Sequence, residues 1–234
     1  PGQLTAIVGP NGSGKSSLLG AITGTVAHTG RVRLNGADTA RARPWQLAAQ
    51  RAVLPQSAQL AFPFTVLEVV RIGQQAGTAG ADPTVPMQAL VRVGLAHYAA
   101  RSFDRLSGGE AQRVMLARLL AQVWQPVAEG VPRWLLLDEP VSSLDIAHQL
   151  QVMDIARGFA RDGGGVVAVM HDLTLTALYA DTVTILSEGR VLDHGPPRAV
   201  MTDATLSRAY GCALRVSAPP PPDIPFILPH AANA

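Results

Sequence analysis

Lysine is almost absent from this chain of 234 residues: eighteen of its nineteen basic side chains are arginine, and Lys15 is the exception. Genome base composition produces such a bias, so the scarcity carries no function by itself. It makes the exception informative, because arginine ends in a broad planar fork and lysine in a compact point charge. Cysteine is nearly absent too. Cys212 stands alone and cannot form an internal disulfide, which fits a reducing compartment. No run of about 18 apolar residues occurs, so no membrane-spanning helix is expected, although 47% of residues are hydrophobic. No charged-then-apolar signal segment stands at the start. The net charge is +2 with both signs scattered, and the arginines do not cluster with interleaved aromatics, which argues against nucleic acid as a partner. His28, His97, His148, His194 and His230 are dispersed as well, so neither they nor Cys212 predict a haem or metal site.

What is present is an alternation of short apolar runs and helical patterns. Strands are expected at 4–8, in RVRLNG (31–36), in RAVLPQ (51–56), in RWLLLDEP (133–140) and in GVVAVMHD (165–172). Helical spacing marks 15–23, then three stretches between 65 and about 124, including VPMQALVRVGLAHYAARS (85–102), and finally 146–161. A turn-rich break lies at 77–84. TVTILSEGRVLDHG (182–195) reads as a hairpin, and 197–211 as short terminal helices. This pattern predicts an α/β protein with a mostly parallel sheet covered on both faces. It forms a single domain over 1–234, with a core at about 1–60 and 130–200. A helical subdomain is inserted at about 61–129, and an extended proline-rich tail occupies about 217–234. The chain begins at Pro1 and enters a strand at once, which predicts N-terminal strands ahead of it.

The first motif is GPNGSGKS. Gly9, Gly14, Lys15 and Ser16 fit G-x-x-x-x-G-K-[ST] between a strand and a helix. Glycines let the backbone N–H groups of Gly9, Asn11, Gly12, Ser13 and Gly14 turn around phosphate oxygens, while Pro10, in the same loop, has no N–H to donate. The helix start adds its positive end. Lys15 can reach the outer phosphates from within so tight a loop, which accounts for its survival. Ser16 would place its hydroxyl on Mg²⁺, and Ser17 would lie near the α-phosphate. The motif alone leaves ATP and GTP open.

WLLLDE, at 134–139, is an apolar strand ending in two acids. Such a strand delivers its carboxylates to the sheet edge where α/β ligands bind. Asp138 would hold Mg²⁺ through its water shell, and Glu139 would orient and polarise an attacking water as general base. LSGGEAQRVMLARLL starts at Leu106. Ser107, Gly108, Gly109 and Glu110 open a second helix with anion-binding character. One nucleotide in one monomer has no use for two such sites. The economical reading is a head-to-tail pair, each copy offering its second site to the nucleotide held by the other.

In this order the motifs closely resemble those of the ATP-binding cassette (ABC) ATPases: GPNGSGKS, LPQ with Gln56, LSGGE, WLLLDEP, SSLD (142–145) and VMHD with His171. The resemblance covers nearly the whole chain. It implies a P-loop NTPase (RecA-like) core with the inserted helical subdomain. It implies that Gln56 touches Mg²⁺ and the attacking water, that His171 contacts the γ-phosphate, and that Asp145 bridges to the partner subunit. Ser17 and Ser143 replace the family's commoner threonine and alanine. The family's adenine-stacking aromatic lies upstream of the cradle, outside this sequence.

The short lobe and the single cassette resemble bacterial importer subunits serving iron–siderophores, cobalamin and haem. The long connection at 120–140, LSRAYGC and the PFILPH ending are similar to haemin-importer ATPases. This resemblance implies a homodimer at the cytoplasmic face of the inner membrane, under a permease dimer, fed by a periplasmic substrate-binding protein. Ferric siderophore or cobalamin as cargo, a soluble non-transport ABC ATPase and a binding-only regulatory cassette are the alternatives.

Overall fold

The computed structural model describes residues 1–56, 63–77 and 82–229. The expected break at 77–84 and the tail at 217–234 fall partly outside these residues, and His230 wholly. The buried strand β1 (Leu4–Val8) feeds a glycine-rich loop and then α1 (Lys15–Thr23). The helix stops at Gly24, whose φ of 76° turns the chain so that its amide meets the last carbonyls. A small hairpin pairs β2 (Arg33–Leu34) with β3 (Ala37–Asp38) across Asn35-Gly36, both at positive φ, as the Asn-Gly signal predicts. Helix α2 (Pro44–Gln50) buries none of its residues, so the sequence carries no apolar stripe to announce it. The buried strand β4 (Arg51–Leu54) follows directly.

Helices α3 (Val66–Ala76), α4 (Val85–Arg92) and α5 (Gly108–Gln122) pack on one another. The helix expected over 85–102 ends at Arg92. Gly94 at φ 73° cannot continue it, and a 3-10 turn at Ala96–Tyr98 takes its place. The long connection folds as a hairpin of β5 (Val127–Ala128) and β6 (Val131–Pro132), turning at Glu129 and Gly130, both left-handed. Beyond it come β7 (Trp134–Asp138), α6 (Ile146–Arg161), β8 (Gly165–Val169) and α7 (Leu173–Tyr179). The chain then forms β9 (Thr182–Ser187), β10 (Arg190–Gly195), α8 (Pro197–Val200) and α9 (Asp203–Tyr210).

The main sheet has the order β10-β9-β1-β8-β7-β4, parallel except for β10. Strand alternation gives it two apolar faces. Ile7, Leu136, Val169 and Leu186 pack with Leu19 of α1 on one face. Leu4, Ala6, Val8, Leu135, Leu137, Val166 and Ala168 belong to the larger core, which also takes in α6 and the α3–α5 group. Arg51 ties the first face together. Its guanidinium donates to the carbonyls of Ile22 (2.9 Å) and Thr23 (2.7 Å), the last residues of α1. Among the described residues, no helix is long and apolar enough to cross a membrane.

Candidate functional site

Register brings the motifs together. Leu54 pairs with Leu137, Asp138 with Val169, and Ile7 with Val169, so the parallel strands end nearly level. Gln56, Glu139, His171 and Gly9 each lie one or two residues beyond those ends. The carboxyl edge of the sheet therefore collects four sequence-distant groups, as the ligand edge of an open α/β sheet does.

The loop after β1 leans on the β9–β10 turn. Gly9 has φ 152°, and a Cβ there would run into the Leu186 carbonyl, so only glycine fits. Gly189 donates its amide to the Ser13 carbonyl at 3.2 Å, and Gly12 and Gly14 are left-handed. Ser13 Oγ is buried and has no hydrogen-bond partner among the described residues, a hydroxyl left over inside the loop. Pro10 is half-buried, whereas Asn11, Ser16 and Ser17 are exposed.

Helix α1, like α2, α4 and α8, starts without a side-chain cap. Side chains of Thr65, Ser107, Asp145, Asp172 and Thr202 cap α3, α5, α6, α7 and α9. Gly14 caps α1 without a side chain, and no acid stands in its first turn. Its amides are left for an external anion. Lys15 is buried beside them, its Nζ donating to the carbonyls of Gly9 (2.9 Å) and Pro10 (3.0 Å). Burial pushes its pKa below the ordinary lysine value, while the Glu139 and Asp138 carboxylates pull it back up.

Ser16 Oγ donates to Asp138 Oδ1 at 3.3 Å, joining cradle to acidic strand. Burial raises the Asp138 pKa above the ordinary range. The neighbouring Glu139 charge adds to this, against the Ser16 hydrogen bond and the His171 and Lys15 charges. Glu139 is largely buried and pairs with His171, Oε1 to Nε2 at 2.5 Å. Its φ of 51° places a non-glycine residue in the left-handed region. Gln56 is exposed just past β4 and lines a cavity of about 220 Å³ with Gly108, Gln112 and Ser143.

The second helix start forms a separate cavity of about 490 Å³, lined by Ser107, Gly108, Gly109, Glu110, Asp145 and His148 among others. Glu110 turns back on the Ser107 amide (2.7 Å), and Ser107 Oγ accepts from the Glu110 amide (3.3 Å), a reciprocal cap. Asp145 caps α6 and accepts from the His148 amide and ring, which holds its carboxyl below the usual range. Sequence reasoning missed three supports of this edge: Gln112, Ser142 and Gly189. Gln112 and Ser142 lie within motifs, but nothing in their spacing says what they touch.

The cradle geometry and the strand order define a P-loop α/β nucleotide-binding fold. Residues 1–142 match the family described as ABC transporter. A Hemin import ATP-binding protein HmuV of Roseobacter denitrificans is 66% identical over 233 residues, covering 100% of this chain and 89% of that one. The protein of that name from a Jannaschia species is 62% identical, covering 100% of this chain and 86% of that one. Among solved structures, cbiO1 from Clostridium perfringens, described as part of the ABC transporter complex cbiONQ, is 28% identical with a TM-score of 0.70. That match covers 88% of this chain and 82% of the other. The chain belongs to the ABC transporter family, as an ATP-binding subunit of α/β cassette fold.

Proposed function

We propose that this chain is the ATP-hydrolysing subunit of a haemin importer. The observation that carries the chemistry is the meeting of Lys15, Asp138, Glu139 and His171 at one sheet edge beside an uncapped helix start. The observation that carries the cargo is the likeness to two Hemin import ATP-binding proteins along the whole chain.

The loop amides and Lys15 bind and orient the phosphates. Glu139 aligns a water with the terminal phosphorus and takes its proton. A bond forms from the water oxygen to phosphorus, and the bond to the bridging oxygen breaks, giving ADP and phosphate. His171, already on the Glu139 carboxylate, holds that group in place and stands beside the terminal phosphate. Ser16, Asp138 and Gln56 are oxygen donors of the kind that suits a magnesium ion and would hold it; bound there, Mg²⁺ neutralises charge on the outer phosphates.

Ser107, Gly108 and Gly109 receive the terminal phosphate of a nucleotide held by a second copy, and Asp145 meets that copy's site. Two chains thus sandwich two nucleotides. The pair works at the cytoplasmic face of the inner membrane on a permease dimer, supplied by a periplasmic binding protein.

The test uses the full-length protein reconstituted with its permease. Glu139→Gln should keep ATP binding and lower turnover by roughly 10²–10⁴-fold, the range for a lost general base. ATP-driven uptake of haemin, and not of a ferric siderophore or cobalamin, is the expected transport result. Near-normal turnover in the variant overturns the mechanism, and uptake of either other cargo overturns the assignment of haemin.

A further inference from the structure

We propose that Gln112 is a positioning residue of the hydrolytic site: from α5 it holds the main chain of Glu139 and ties the general base to the docking of the helical lobe. Its side-chain Nε2 donates to the Glu139 carbonyl at 2.9 Å, across 27 residues of sequence. The orientation of the amide follows from its partner. A carbonyl can only accept, so the NH₂ end must face it. Gln112 Oε1, at the other end, is buried with no hydrogen-bond partner among the described residues. A buried amide that satisfies one end and leaves the other unmet is held by that one bond and its packing.

The carbonyl it holds belongs to a residue that needs holding. Glu139 sits at φ 51°, a conformation in which non-glycine residues persist only where neighbours over-determine it. Its amide donates to the Val169 carbonyl at 3.2 Å. Its carbonyl also accepts from the Ser142 amide (3.3 Å) and the Ser142 hydroxyl (3.2 Å). Those partners lie on β8 and in the turn just after Glu139. Among the described residues, Gln112 alone bonds it from the α3–α5 group, and its bond is the shortest of the four. Rotation of that peptide swings the carboxylate relative to His171, the group that grips it.

The consequence is directional. Gln112 stands five residues after Ser107, on the helix whose start forms the second anion cavity. It also lines the cavity that Gln56 enters. A shift of α5 therefore moves the Glu139 carbonyl by the same bond. The base is set for hydrolysis when the lobe is seated, and misaligned when α5 withdraws. This inference rests on the assignment of Glu139 as general base.

The test compares the wild type, Gln112→Met, Gln112→Glu and Glu139→Gln, in the full-length protein within its transporter. Methionine keeps the length and loses the donor. Its kcat should fall about tenfold, the effect of one hydrogen bond lost at the reacting geometry, with KM for ATP and the affinity for a fluorescent ATP analogue unchanged. Glutamate is isosteric but sets an acceptor against the carbonyl, so its kcat should fall at least as far. Added to Glu139→Gln, the methionine change should lower the residual rate no further, because the group it positions is already gone. A methionine variant with parental kcat overturns the proposal. So does one whose affinity, melting temperature and kcat fall together, and so does additivity in the double variant. Normal turnover in Glu139→Gln alone would instead overturn the base assignment, whatever Gln112 does.

Discussion

Arg51→Met tests whether the phosphate-binding helix is anchored at its far end. In the native chain the buried guanidinium donates to the Ile22 carbonyl at 2.9 Å and the Thr23 carbonyl at 2.7 Å. Each bond from a charged donor contributes about 1.5–3 kcal/mol, so the two together contribute about 3–6 kcal/mol. Burial opposes this, since it disfavours the charged guanidinium and lowers its pKa. Methionine retains the stem's packing and removes that cost along with the fork, leaving a net loss of about 2–3 kcal/mol. At this chain length each kcal/mol shifts the melting temperature by about 2–4 °C, so a fall of about 4–12 °C is expected in calorimetry. Arg51→Lys should recover only part of it, because a point charge cannot serve both carbonyls in the geometry of a fork. A methionine variant that melts with the parent would refute the anchor.

Lys15→Ala should weaken ATP binding roughly 10- to 100-fold, the effect of losing a charge-assisted bond to phosphate, as read by titration with a fluorescent analogue; parental affinity would sink the cradle. Gly73→Ala should cost about 1–3 kcal/mol by overpacking, because its Cβ would meet the Arg118 carbonyl where α3 crosses α5; an unchanged denaturant midpoint would contradict that close approach. Glu68 and Glu110 are held below the ordinary carboxylate range by hydrogen bonds, first from the Thr65 and Ser107 amides and then from their hydroxyls. The native state therefore binds fewer protons there. This stability is present above the unfolded value of about 4.3 and is lost as pH falls through the folded pKa values. Melting measured down to pH 3 or so should show the loss, and Glu68→Gln with Glu110→Gln should flatten it; an unaltered acid slope would exclude the caps as its source.

Much of the fold was legible because its signals are local. The strand LTAIV, the helix at 146–161, the Asn35-Gly36 turn and the hairpin within 182–195 each announce themselves within a few residues. Three features were not. Gly94 reads as a tolerable break in a helical pattern, and only its left-handed φ shows that α4 has ended. Helix α2 lacks periodicity because nothing packs over it closely enough to bury a residue. Gln112 and Arg51 act on carbonyls 27 and 28 or 29 positions away, and backbone acceptors leave no trace in side-chain patterning. The cradle, the acids and His171 were readable as types at spacings. Their common edge became visible through the register of β1, β8, β7 and β4.

The seating of Lys15 inside its loop has a spectroscopic consequence. Made as these 234 residues, which hold one lysine, the chain enriched selectively in that amino acid gives a spectrum with a single ammonium line. That line reports from between the Gly9 and Pro10 carbonyls, so each step of the catalytic cycle can be followed at the phosphate-facing cation without assigning any other signal.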